Sequence, residues 1–487
     1  LSGIKKLVRQ TAIYGLSSIV GRLLNFLLVP LYTEIFLTHE YGVVSILMSA
    51  VAFGLIFLTY GMETAFFHFS NKSESPKKVY STGFISLLVS SGLFLLFALS
   101  QNQSIADVLH IGQNPEYIKW LAWILIFDVL TTLPFAQLRV ENRAWRFASI
   151  RLINIGVNIG LNLFFILLCP YLIKESIAPD WIHSIYDPNM GIGYIFIANL
   201  VASATMMLLL LPEIGKIKMQ FDFALWKRII NYSFPLLIGG LAYVTNEMAD
   251  RLLLEYLLPE NIATSQVGIY SACYKIAIFM TLFIQAFRYG AEPFFFAQSK
   301  TEKAPETYAL VMRYFVAFTA LIFLGVNVYI DILKGFLRDV SYHEGLDVVP
   351  ILLLANLFLG MYYNLSIWYK VSGKTRFGAY LSLGGALITI SLNIWLIPII
   401  GYMGSAWATL ACYSAMCLAS YLLSKRHYPI PYQWNSILVY LILSVGLFGL
   451  WQYWHDEYFV MSSLYCLLYI FIVLGLEKRK KSTTFKH

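Results

Sequence analysis

The sequence predicts an all-α polytopic membrane protein of about fourteen transmembrane helices. Three observations predict it. Of 487 residues, 59% are hydrophobic and only 13% are charged, where a soluble domain keeps about a quarter charged. Long apolar runs separated by short polar loops recur from end to end, so lipid is the solvent for most of the chain. The mean hydropathy of +0.67 agrees. Finally, Lys and Arg collect in alternate loops, the pattern of a chain that crosses a bilayer repeatedly.

Taken in order, the runs long enough to cross about 30 Å of hydrocarbon at about 1.5 Å per residue fall at fourteen places. In the first half they are 11–33, 42–68, 79–100, 118–138, 148–172, 191–211 and 233–257. The second half adds 267–297, 307–330, 346–371, 377–399, 404–423, 436–454 and 459–476. The basic opening KKLVRQTAIYGLSS resembles a signal sequence, but its apolar run is too long and carries Arg22. It is expected to stay as the first helix. Trp120, Tyr171, Trp181, Trp434 and Trp454 stand near helix ends, where amphipathic rings suit the headgroup zone.

Orientation follows from charge. With the N-terminus inside, cytoplasmic segments hold roughly 26 of the 35 Lys and Arg, and external loops about four. NKSESPKK, RVENRAWRFASIR, GKTR, SKR and the tail EKRKK all fall on one side. Both termini are therefore expected in the cytoplasm. The net charge of +8 is orientation information spread over loops, and it argues against a nucleic-acid partner. No loop is large. The segment 174–190 could form a short cap, which counts against an enzyme built around a sizeable aqueous domain. Cys169, Cys273, Cys412, Cys417 and Cys466 lie in apolar segments without CxxC spacing, and the eight His are scattered without HExxH. Neither a disulfide framework nor a metal site is expected.

An internal repeat organises the helices. GRLLNFLLVPL followed by EYGVVS parallels DRLLLEYLLPE followed by QVGIYS, and VNIGLNLFFIL parallels ITISLNIWLIP. Arg22 thereby pairs with Arg251, Gly42 with Gly268, Ser45 with Ser271 and Asn162 with Asn393, at offsets of 229, 226 and 231 residues. The unit spans six helices, so both copies run in the same direction. Three segments are expected: an N-lobe at 1–220, a C-lobe at 221–424, and a C-terminal helix pair with a basic tail at 425–487.

Charges inside apolar helices are the candidate functional residues, because each costs on the order of 2.5–3.5 kcal/mol at the helix centre on insertion scales. They are Arg22, Glu63, Asp128, Glu247, Asp250, Arg251, Lys275, Arg288 and Glu292. Glu247, Arg251 and Glu255 share a helix face at i, i+4 and i+8, and so do Arg288 and Glu292. The bland reading is intrahelical ion pairing. It fits Arg288 and Glu292 best and fits the repeat-related Arg22 and Arg251 least. Pro30, Pro134, Pro235, Pro293 and Pro350, with Gly239–Gly240 and Gly384–Gly385, mark kinks that serve either as hinges or as static curvature. Two motifs are discounted. VSGKTR has Trp368 where a P-loop needs glycine, and Gly156-xxx-Gly160 reads as internal packing.

The stretch VGIYSACYKIAIFMTLFIQAFRYGAEPFFFAQ from Val267, with NEMADRLLLEYLL and IPIIGYMGSAWATL, resembles the polysaccharide-biosynthesis flippases of the multidrug/oligosaccharidyl-lipid/polysaccharide (MOP) exporter superfamily. The likeness covers essentially the whole chain. It implies two bundles around a central cavity, with a terminal helix pair beside a lipid-tail groove. It also implies a bacterial inner-membrane location and a polyprenyl-diphosphate-linked oligosaccharide as substrate. Membrane lipids and glycan-assembly enzymes are the further partners it suggests. Arg22 and Arg251, one in each lobe, fit the arginines that engage the diphosphate, with Lys275 and Arg288 as further cationic candidates. Glu247 and Asp250 flank Arg251 and depart from a purely basic site. With Glu63, Asp128 and Glu292 they are candidates for coupling to Na⁺ or H⁺; no other cofactor is expected. Two alternatives stay open: a cation-coupled multidrug exporter of the same fold, and a membrane-embedded glycan-modifying enzyme.

Overall fold

The computed structural model describes residues 19–72, 75–216, 218, 220–299, 301–454 and 459–484. Among them every regular element is helical. Eleven helices are long and apolar enough to span a membrane, and twelve when the pair Glu260–Ile276 and Ile278–Gln298, bent by 52°, is taken as one broken span. The remaining two expected spans have specific explanations. Residues 11–18 of the first lie outside the described residues. The seventh is the 35-residue helix Phe223–Leu257, whose C-terminal half is loaded with Glu247, Asp250, Arg251 and Glu255.

Contacts divide the chain into two compact units. One comprises Ile35–Glu255 with the described residues up to Leu28; the other comprises Val29–Glu34 and the chain from Tyr256 onward. In the first unit the helices are α1 (Thr38–Thr59), α2 (Met62–Lys72), α3 (Pro76–Ser100), α4 (Glu116–Val140), α5 (Ala144–Asn162), α6 (Gly193–Ile214) and α7 (Phe223–Leu257). The α5 span continues through a π-helical turn at Leu163–Leu168 to Lys174. The second unit holds α8 (Glu260–Ile276), α9 (Ile278–Gln298), α10 (Ala304–Val328), α11 (Val348–Leu365), α12 (Arg376–Ile400), α13 (Tyr402–His427), α14 (Trp434–Tyr453) and α15 (Phe459–Thr484).

The boundary between units differs from the expected one after residue 220. Side chains along α7 attach it to the first unit up to Glu255. Trp226 Nε1 donates to Ser86 Oγ at 2.8 Å, and the Asp222 N–H reaches Thr82 Oγ1 at 3.3 Å. Ile229 is fully buried in a cluster with Leu58, Phe66, Val129 and Leu133. Between lipid-facing helices there is no water to expel, so such packing and hydrogen bonds decide which bundle a helix joins. The C-terminal pair, expected as a separate segment, likewise groups with the second unit.

Within each unit the same helix of the repeat is central. The Glu116–Val140 and Val348–Val371 spans are each 72% buried, whereas Ala144–Lys174 and Arg376–Ile400 are 22% and 28% buried. The paired asparagines also match. Asn162 and Asn393 are fully buried, and each donates its amide to the carbonyl four residues earlier, Asn158 at 2.8 Å and Thr389 at 2.7 Å. Asn393 additionally accepts from Ser405 at 2.7 Å, across the tight α12–α13 turn. That turn demands glycine. Gly401 has φ +60°, and a Cβ on Gly404 would stand 2.7 Å from the Leu396 carbonyl carbon.

The expected first helix is broken. Helical residues 19–26 give way to a turn at Leu27–Leu28 before the short helix Val29–Ile35. Pro30 has no N–H to continue the ladder, which accounts for the break there. Beyond it, Thr33 accepts backbone N–H groups from Arg338 and Asp339 at 3.1 and 3.2 Å, which ties this segment to the second unit.

Candidate functional site

The residues of α7 that made it too polar to read as a plain membrane span form a buried polar cluster in the first unit. Asp250 and Arg251 are 4% and 8% exposed. Asp250 Oδ1 accepts from the Arg251 N–H at 2.9 Å and from its Nη1 at 2.7 Å, and Nη1 also donates to the Glu247 carbonyl at 2.8 Å. The Glu247 carboxylate accepts from Tyr243 and lies within electrostatic reach of both Arg22 and Arg251. Tyr41, buried on α1, also lies within electrostatic reach of Arg251. Arg22, on the helical segment 19–26, has an exposed side chain. The two repeat-related arginines therefore share one unit and one acidic partner. The expectation of one arginine per lobe is corrected, because α7 is held by the first unit up to Glu255.

Farther along α7, Glu255 is 2% exposed, with Oε1 3.1 Å from His110 Nδ1. Sequence reasoning had Glu255 on the right helix face but missed His110. The histidine arrives from a loop 145 residues away, and only the unmet need of a buried carboxylate hinted at a partner.

The other candidates are dispersed. Glu63 pairs with Arg139 at 2.7 Å where α2 meets the end of α4. Asp128 accepts from Ser203 Oγ at 2.8 Å inside the α4–α6 contact. In the second unit, Lys275 is exposed in the last turn of α8, just before the bend into α9. Arg288 lies over the Tyr363 ring, 4.0 Å from its centroid, and Glu292 pairs with Lys370. The intrahelical Arg288–Glu292 pair of the bland reading is thus replaced by two contacts to other helices. All five cysteines are free, four of them buried.

Two larger arrangements were not legible in the sequence. In the first unit Arg143 and Arg146 converge on the buried Glu213. In the second, Arg313 bridges Gln433 and Glu477, and Tyr440 donates to the same carboxylate. A cleft of about 850 Å³ also opens between α1, α3 and α7, with apolar walls around Tyr60, Ser86 and Trp226 and no charged residue.

Two apolar helical repeats, each built round its fourth helix, with arginine and acid inside apolar helices, define a class: a duplicated, polytopic helical membrane fold. Solved structures share that fold. The chain resembles the lipid II flippase MurJ in an inward closed conformation, with a TM-score of 0.75 and 15% identity over 96% of this chain and 98% of that one. It also resembles an inward-facing MATE-family multidrug resistance transporter of the MOP superfamily, at 0.64 and 13% over 83% and 94%. The Vibrio cholerae MATE transporter VcmN aligns at 0.56 and 12% over 87% and 96%. No curated protein sequence matches. The family itself is given by a sequence model described as polysaccharide biosynthesis protein, which matches residues 7–291. The chain belongs to that family.

Proposed function

We propose that the protein moves an oligosaccharide linked to a polyprenyl diphosphate from the cytoplasmic to the periplasmic leaflet of the bacterial inner membrane, by alternating access and without catalytic chemistry. The observation that carries this reading is the arginine pair. Arg22 and Arg251 stand beside Glu247 and Asp250 in a member of a polysaccharide biosynthesis family. A sugar headgroup is too polar to cross hydrocarbon unaided, so it needs a protein-lined path. A diphosphate presents several acceptor oxygens to guanidinium forks that stay charged at any working pH. The likeness to a lipid II flippase supports a lipid-linked cargo. The direct experiment is reconstitution into vesicles with a fluorescent polyprenyl-diphosphate sugar, scoring protein-dependent loss of its protection from an external quencher.

The orientation belongs to the same proposal and has its own test. Cysteines introduced at Asn102, Ser184 and Ser341 are expected to react with an impermeant thiol reagent in intact cells. Those at Ser75, Lys303 and Ser482 are expected to stay unlabelled until the membrane is opened. Labelling of the Ser482 position from outside would reverse both termini.

A second reading, cation coupling, is favoured by the acids that crowd Arg251. A carboxylate in an apolar helix next to an arginine can exchange a proton or Na⁺ when the anionic cargo leaves. Glu247→Gln and Asp250→Asn are then expected to make transport insensitive to ionophores that collapse the coupling gradient. If rate and ionophore response match the parent protein, these acids only position Arg251.

A further inference from the structure

We propose that the pocket between the start of α5 and the end of α6 binds the phosphodiester headgroup of an anionic membrane lipid. The pocket has a volume of about 640 Å³ and lies wholly in the first unit. Its polar wall is Arg143 and Arg146, and its apolar wall includes Ile150, Ile153, Leu208 and Leu209. Leu208 and Ile153 are 63% and 44% exposed, the exposure of side chains that face acyl chains. Trp145, beside the arginines, is 66% exposed, as suits a headgroup-level ring. On the orientation proposed above, this end of the bundle lies in the cytoplasmic leaflet.

The arginines are held in place from behind. Glu213, with 1% of its side chain exposed, stands with Oε1 3.0 Å from Arg143 Nη1 and 2.8 Å from Arg146 Nε. Its Oε2 is 3.0 Å from Arg146 Nη2, which also donates to the Leu209 carbonyl at 3.2 Å. Glu141 adds a carboxylate 3.5 Å from Arg143 Nη1, so the formal charges of the four groups cancel. Affinity for an anion must therefore come from oriented donors. Arg143 Nε and Nη2 and Arg146 Nη1 have no hydrogen-bond partner among the described residues. Both side chains are about one-third exposed, at 38% and 35%. The same corner holds the N-terminus of α5, where Arg143 makes no side-chain cap bond. The first-turn N–H groups leave the positive end of the helix dipole there. A lipid phosphodiester, with one negative charge and two terminal oxygens, suits these donors while its chains lie along the apolar wall. The ammonium of a zwitterionic lipid would find only Glu141, which is already bonded to Gln137 at 2.8 Å.

The test is native mass spectrometry of the full-length protein in detergent, titrated with phosphatidylglycerol, phosphatidylcholine or inorganic phosphate. It reads lipid retention, so its outcome is independent of the transport reading. Phosphatidylglycerol is expected to bind about tenfold tighter than phosphatidylcholine, and millimolar phosphate is expected not to displace it. Arg143→Gln/Arg146→Gln should abolish the preference. Because that variant strands a buried carboxylate, Leu208→Trp provides a second arm. It fills the apolar half, leaves every ion pair intact, and should weaken phosphatidylglycerol binding by a similar factor. Equal retention of the two lipids by the parent protein would overturn the proposal. So would undiminished phosphatidylglycerol binding by Leu208→Trp, while displacement by phosphate alone would make the site one for free anion.

Discussion

Arg22→Ala and Arg251→Ala are each expected to lower glycan export by about tenfold or more at matched protein level, because each removes charge-assisted bonds to the diphosphate. The two substitutions differ in what else they disturb. Arg251 is 8% exposed and its guanidinium is bonded to Asp250, itself 4% exposed. Its alanine variant therefore also leaves a buried carboxylate without its nearest cation. Arg22 has an exposed side chain, so Arg22→Ala is the cleaner probe of substrate contact. Lysine at either position should retain partial export, since a point charge replaces a planar fork. Surface glycan measured against membrane-inserted protein reads the effect. Normal glycan in the well-expressed double alanine variant would remove the arginines from the mechanism.

The largest effect on stability is expected at Glu477. Arg313 Nη2 donates to Glu477 Oε2 at 2.8 Å, and both side chains are nearly buried, at 8% and 12% exposed. Gln433 and Tyr440 complete the network, which joins α10 to α14 and α15. Glu477→Ala leaves a buried guanidinium uncompensated, at a cost of about 3–5 kcal/mol. Thermal unfolding in detergent should show a midpoint several degrees lower. Protease sensitivity should appear first in α15, whose other polar ties include Ser462 to the Val328 carbonyl at 2.8 Å, Ser463 with the Tyr329 hydroxyl at 2.7 Å and Tyr469 to the Ala317 carbonyl at 2.9 Å. Arg313→Met/Glu477→Leu should recover most of the loss, because apolar side chains of similar size need no partner. A double variant as unstable as the single one would show that the network does more than satisfy its own charges.

Legibility of the site was uneven, for a physical reason. Arg22, Glu247, Asp250 and Arg251 stood out because a charge in an apolar run is costly and therefore conspicuous. Their partners did not. Tyr243 and Asp250 are neighbours in sequence, but His110, Arg146 and Glu477 reach their partners from 145, 67 and 164 residues away. His110 sits in a loop, Arg146 in the first turn of α5 and Glu477 beyond the apolar run of α15, where a charge is ordinary. The Arg288–Glu292 spacing misled because i, i+4 proximity only permits a pair. Tyr363 and Lys370, brought alongside by packing, took both groups.

By itself, the sequence determined the helical class, the order of the spans, the duplication, and the identity of the charges within them. Each follows from local rules: the length needed to cross hydrocarbon, the period of the pattern, and the cost of a charge in lipid. Only the tertiary structure decided that α7 joins the first unit with both arginines. It alone placed the C-terminal pair on the second unit and turned scattered charges into networks around Glu213 and Glu477. Those outcomes depend on which apolar surfaces fit one another. In lipid every such surface is equally hydrophobic, so shape and a few hydrogen bonds make the choice.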